Sequence, residues 1–280
     1  MTDKLGSASA NAVDICRHLL ALWKSRLDSE IRFQERGARP NFTKFLAVHG
    51  LCAHTYRVGE QALAMYETGM VMETFPLLRL SYESALTAHW IAQNVDGSEA
   101  VLNNDVLSRR AAAGTLSKAH SEILRSGAQD FPGADKELIQ TSSQAQVRNF
   151  EQLCQDLEPG GADAYAYYRL MSWYSHPTAR IIDSYLQPTE DMQDLASLRL
   201  EPEKLDVNTW VHFLAFALVW AARSLDFLDA DRTHRSELRK AARDLGIPEV
   251  LKLSEKARQR TAKAEQARRR ASWKGPKQDK

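Results

Sequence analysis

With 280 residues, 44% of them hydrophobic and 26% charged, the chain has the composition of a globular protein with one large core, which excludes a disordered or fibrous class. Thirteen glycines and nine prolines are too few to punctuate a strand-and-turn architecture of this length. The net charge of +1 hides an asymmetry: residues 252–280 hold eleven Lys or Arg against three carboxylates, a balance of +8 that leaves −7 on the remainder, so a mildly acidic body carries a basic C-terminal segment.

The first expected helix runs from Ala8 to Glu35, with Val13, Cys16, Leu20, Trp23, Leu27 and Ile31 at three- and four-residue spacing. "RGARPN" ends it. A second runs from Phe42 to Thr68 and stops at Gly69. Thr74 is the expected N-cap of a third, which carries Pro76 in its first turn and reaches Asn94. A fourth covers 98–127 and a mostly polar fifth covers 134–157. "EPGGAD" is a loop, followed by a sixth helix, "ADAYAYYRLMSWYS". Pro177 opens a new turn or helix to Leu186, since a residue before proline avoids helical geometry. An irregular connection leads to a helix that starts at Asp206 or Asn208 and ends near Leu228. Pro248 opens the basic C-terminal helix.

No stretch alternates at period two. The expected fold is all-α: an antiparallel multi-helix bundle over residues 8–230 with a basic, partly flexible helical tail over 231–280. The most apolar stretch, Trp210 to Ala222, is thirteen residues long and contains His212. A membrane helix needs about 20 apolar residues, so this is read as a core helix, with no membrane partner. Cys16, Cys52 and Cys154 are widely spaced and odd in number, which suggests neither a disulfide framework nor a zinc site. No basic-then-apolar leader is visible, and a reducing cytoplasm is the expected compartment.

Two helices look apolar nearly all round and are therefore read as central. One, Phe75 to Ala92, contains Arg79 and Glu83, four residues apart and hence on one face. The other contains "YYRLMSWYSH", in which Tyr165, Arg169, Ser172 and His176 form a stripe. Buried charges are costly unless paired. Arg79, Glu83, Arg169 and His176 are therefore expected to meet in one interior network, with Glu83 shared between an arginine and the imidazole. His176, just before Pro177, lies at a break near the start of the next helical turn. Free N–H groups there favour anions and an uncharged imidazole, which suits phosphate recognition and proton transfer.

The spacing Arg169-x(6)-His176 resembles the R-x(4–6)-H motif of the HEPN superfamily, helical-bundle proteins that include bacterial toxins and phage-defence ribonucleases. The resemblance implies a metal-independent endoribonuclease active as a homodimer on RNA, without cofactor. Arg169 would hold the scissile phosphate, His176 would serve as the acid/base, and Arg79, Glu83, Ser172 and Tyr165 would support them. Leu170 departs from the polar residue usual after that arginine. Residues 10–230 also resemble an uncharacterised bacterial helical family that pairs R-x(3)-E, here Arg79 and Glu83, with S-x(2,3)-H, here Ser172 and His176. A second class of function is a non-catalytic helical binding module whose polar seam is structural.

Other histidines give no metal site. His49 and His54 are five apart, whereas helix-borne ligand pairs stand three or four apart. His89 and His212 are read as core histidines. In the basic segment, Arg268, Arg269 and Arg270 suit a phosphate backbone and Trp273 suits base stacking.

Overall fold

The computed structural model describes residues 2–27, 41–129, 131–187, 197–203 and 209–272. Twelve helices lie in these residues, joined by two antiparallel ladders of two-residue strands, and the all-α expectation holds. In chain order they are α1 (Thr2–Leu27), α2 (Phe42–Glu67), α3 (Val71–Gln93), α4 (Gly97–Leu116), α5 (Glu122–Gln129), α6 (Gln144–Arg148) and α7 (Phe150–Gln155). Then follow β1 (Leu157–Glu158), α8 (Gly161–Trp173), α9 (Ala179–Ser184), β2 (Leu186–Gln187), β3 (Ser197–Leu198), α10 (Trp210–Leu225), α11 (Arg235–Asp244), β4 (Lys252–Leu253) and α12 (Glu255–Ser272). The end of the first expected helix, and part of the connection before α10, lie outside the described residues.

The core forms around α10, in which every residue from Phe213 to Leu225 is buried. Such a helix has no polar face to turn outward, so others must surround it. α1, α2 and α3 do so. α2 turns into α3 through Gly69, whose φ of +86° is a left-handed geometry that glycine adopts without strain. The Gly69 amide donates to the Tyr66 carbonyl and the Met70 amide to that of Met65, the paired bonds of a Schellman cap. Gly59 lets α2 approach α10 closely: a Cβ there would lie 3.0 Å from Leu214 Cδ1. Tyr56 Oη donates to the Leu218 carbonyl at 2.9 Å, tying the same pair of helices.

Beyond the core the structure departs from the expected helices. The helix expected over 98–127 breaks after Leu116, where the Thr115 and Ser117 hydroxyls bond back to carbonyls of their own helix. The helix expected over 134–157 is irregular chain up to Ser143, followed only by short α6 and α7. The cause is non-local. Asn103 on α4 both donates to and accepts from the Ile139 backbone, while Arg109 and Arg110 hold the carbonyls of Pro132, Ala134 and Lys136. The fully buried Asp96 accepts from Ser143 Oγ and from the amide and hydroxyl of Ser142. Burial works to raise the Asp96 pKa, but these donors outweigh it and hold the carboxyl below its usual range.

Among the described residues, the segment after residue 230 packs onto the bundle. Leu238, Ala241, Ala242, Leu251, Leu253 and Ala257 are all buried, and Leu253 in β4 pairs with Leu157 in β1. His89 of α3 is the lock for this segment. In the neutral ring, assigned from its partners, Nδ1–H donates to the Trp220 carbonyl at 3.0 Å, and Nε2 accepts the Leu251 amide at 3.2 Å. Burial pushes the His89 pKa from 6.5 down to about 4. The unfolded imidazole gains a proton below 6.5 while the folded one stays neutral until about 4, so stability falls across that window and levels off beneath it. Going from about pH 7.5 to about pH 5 is expected to cost about 2 kcal/mol. Urea unfolding at both pH values measures this loss. His89→Gln should be less stable throughout but should lack the drop; an equal drop in the variant places the effect elsewhere.

Candidate functional site

α8 turns one line of residues toward α3. Gly161, Ala164 and Met171 are buried and Tyr168 is half-buried. These positions repeat at three- and four-residue steps, the inner stripe of a helix packed on one side. Tyr168 is the member of α8 that meets the charged pair of α3. Arg79 Nη2 donates to Tyr168 Oη, and its guanidinium carbon lies 4.8 Å from the centre of the Tyr168 ring. Glu83 Oε2 stands 3.7 Å from Arg79 Nη2. Burial raises the Glu83 pKa, opposed by the Arg79 charge and by a hydrogen bond from Tyr168. Phe150 of α7 packs on the far side of the tyrosine, 4.4 Å between ring centroids.

The expected four-member network is therefore corrected. Arg79 and Glu83 do share a face and a contact with α8, but through Tyr168. Arg169 and His176 are exposed, and among the described residues neither bonds to Glu83. The expected stripe was one residue out of register, a rotation of about 100°. A tyrosine can also close the network without bringing a second charge indoors. Ser172 donates to the Tyr168 carbonyl of its own helix at 2.8 Å rather than to His176. Tyr165 is half-buried, its ring 6.1 Å from that of Tyr168.

The outward side of α8 and the bend after it make a separate surface. Arg169, Trp173, His176 and Arg180 are all exposed. Trp173 leaves 44% of its surface open, unusual for the largest apolar side chain. The guanidinium carbon of Arg180 lies 5.9 Å from the Trp173 ring centre, joining the start of α9 to the end of α8. Tyr174, which follows Trp173, packs tilted against Phe75, and Trp210 meets Phe75 edge-on, each 4.6 Å between ring centroids, so an aromatic cluster anchors the end of α8.

The basic residues singled out near the C-terminus are put to different uses. Arg268 pairs with Glu99 at 3.2 Å and donates to the Gln140 carbonyl. Arg269 pairs with Glu265 on its own helix. Arg270 is exposed, and Trp273 lies outside the described residues. Sequence reasoning missed the charge cluster at the end of α10. There Arg26, Asp226, Asp229 and Arg223 are each 5% exposed or less. Arg26 pairs with Asp229 and Arg223 with Asp226, and Arg223 reaches Glu249 at 2.8 Å. Burial drives Asp226 up and Arg223 down, against their mutual attraction. An Arg and an Asp three apart at the end of an apolar helix were the available signal. This cluster knits α1, α10 and the chain ahead of β4, and is read as structural.

Among the described residues no group of three or more His, Cys, Asp or Glu side chains converges as a metal site would require, and no helix is long and apolar enough to cross a membrane. All three cysteines are buried free thiols, their pKa values pushed up by burial and their nucleophilicity correspondingly low.

Comparison with curated proteins and with solved structures finds no match. The model of a family of unknown function, DUF5677, matches residues 45–194, a span from α2 to beyond β2 that includes the Arg79–Glu83–Tyr168 contact and the whole exposed surface of α8 and α9, and the chain belongs to that family.

Proposed function

We propose that this protein binds RNA through the surface formed by Arg169, Trp173, His176 and Arg180, and that a single copy is not an enzyme. The supporting observation is the division of labour on α8. Its inner side sets Tyr168 against the Arg79–Glu83 pair of α3, while on its outer side and the bend after it Arg169, Trp173, His176 and Arg180 are open to solvent. Arginine holds phosphates, and an exposed indole offers a platform for an unpaired base. Neither His176 nor Arg169 has a carboxylate partner among the described residues, so nothing in one copy orients the imidazole for proton transfer.

The second reading is a metal-independent ribonuclease of toxin or defence type. The exposure of both Arg169 and His176 favours it, since a homodimer could set two such pairs against each other across a bound strand. In that case His176 takes the ribose 2′-OH proton and Arg169 holds the phosphate.

Both readings are tested with mixed-sequence single-stranded RNA in chelator. Trp173→Ala is expected to weaken binding about tenfold, the loss of one stacked base, and Arg169→Ala by a similar factor, with intact RNA recovered throughout. Cleavage by wild type that rises with protein concentration and vanishes in His176→Ala establishes the second reading instead. Binding unchanged in both Arg169→Ala and Trp173→Ala rules out this surface.

A further inference from the structure

α12 bears charge on two sides, and the two sides do different things. Toward the body, Ala257 is buried, Arg260 grips Asp156, and Arg268 holds Glu99 and the Gln140 carbonyl. Away from it, Lys256, Lys263 and Arg270 are all exposed and form no ion pair among the described residues. They recur every seven residues, which is two turns less about 20°, so they form a gently slanted ridge about 21 Å long. Gln259 and Gln266, also exposed, stand between them. No large apolar side chain interrupts the ridge.

We infer that this ridge is a second contact surface, which takes the phosphate backbone of single-stranded RNA. Three cations without an ion-pair partner among the described residues suit a polyanion, since each one seated on a phosphate releases counterions from the strand. The remaining charges of α12 are already committed: Arg258 pairs with Glu255 and Arg269 with Glu265, and Arg260 and Arg268 are anchors. An anionic bilayer fits less well, because a helix lying in a membrane interface needs an apolar face opposite its charges. The anchors on the inner side hold the ridge straight before any ligand arrives, so little ordering remains to oppose binding. The inference rests on RNA being the partner, but it uses a different element from Arg169 and Trp173.

The experiment compares the full-length chain with the triple variant Lys256→Gln, Lys263→Gln, Arg270→Gln. Binding to mixed-sequence single-stranded RNA is titrated with salt, in parallel with phosphatidylserine-containing vesicles. Loss of three phosphate contacts should flatten the slope of log K against log salt by about 2, a weakening of about 100-fold at 0.1 M salt relative to 1 M. The unfolding midpoint should not move, because none of the three residues has an ion-pair partner to lose among the described residues. An unchanged slope overturns the ridge and leaves the α8 surface standing. A flattened slope with Arg169→Ala and Trp173→Ala neutral sustains the ridge and removes that surface. Wild type that binds vesicles and not RNA, or binds neither, overturns both.

Discussion

Asp156→Ala is expected to cost about 3 kcal/mol of stability, close to the cost of breaking a buried ion pair. The carboxylate is 4% exposed and serves two elements at once. Trp90 Nε1–H donates to it at 2.9 Å from the last turn of α3, and Arg260 of α12 grips both of its oxygens. Truncation to alanine leaves the fully buried indole N–H without an acceptor and strands a guanidinium that is mostly out of water. Asp156→Asn keeps an acceptor for the indole and should fall in between. Arg260→Gln should cost less than Asp156→Ala, since its side chain retains 21% exposure. Urea unfolding of the three variants reads the order directly. A cost below about 1 kcal/mol for the alanine variant shows that solvent, rather than α12, satisfies the carboxylate.

A second large effect is expected at the entry to α8. In Gly161→Ala the new Cβ would sit 2.0 Å from the Cys154 carbonyl oxygen, an overlap with backbone that no rotamer relieves. The variant should lose about 3 kcal/mol, the upper end for overpacking, as α8 is pushed off α7. The preceding residue is a contrast. Gly160 has a φ of +94°, but its nearest neighbour to a new Cβ is 3.9 Å away, so Gly160→Ala should cost only about 1 kcal/mol of left-handed strain. Denaturation midpoints that rank these two glycines the other way refute the steric account. Because α8 carries Arg169 and Trp173, RNA binding should decline with Gly161→Ala and survive Gly160→Ala.

The central helices were legible in the sequence because their burial is nearly complete. α3 and α10 are apolar on almost every side, and the turn at Gly69 announces itself. α8 was legible as a helix but not in its rotation. Tyrosines at 165, 167 and 168 and Trp173 place large side chains on all its sides, so apolar periodicity cannot tell Tyr168 from Arg169 as the inward residue. Arg79 and Glu83 were correctly placed on one face, yet a hydroxyl rather than a second charge met them. The irregular chain over 131–143 could not be read locally, because the groups that hold it are on α4 and at Asp96, more than twenty residues earlier. Arg260 and Arg268 looked like solvated charge for the same reason. Their partners, Asp156 and Glu99, are 104 and 169 residues away, and only folding reveals that they are occupied.

The clasp between α3 and the segment from β4 into α12 also bears on how the protein is made. The Leu251 amide that completes the surroundings of His89 leaves the ribosome 162 residues after it, and the Arg260 guanidinium that shares the Asp156 carboxylate with Trp90 comes later still. The nascent bundle must wait with these sites open until that distant segment has emerged, and closure of so long a loop is slow. A stop codon between residues 230 and 250 would thus not trim an appendage. It would release a polypeptide with the floor of its interior missing, a form suited to aggregation or proteolysis.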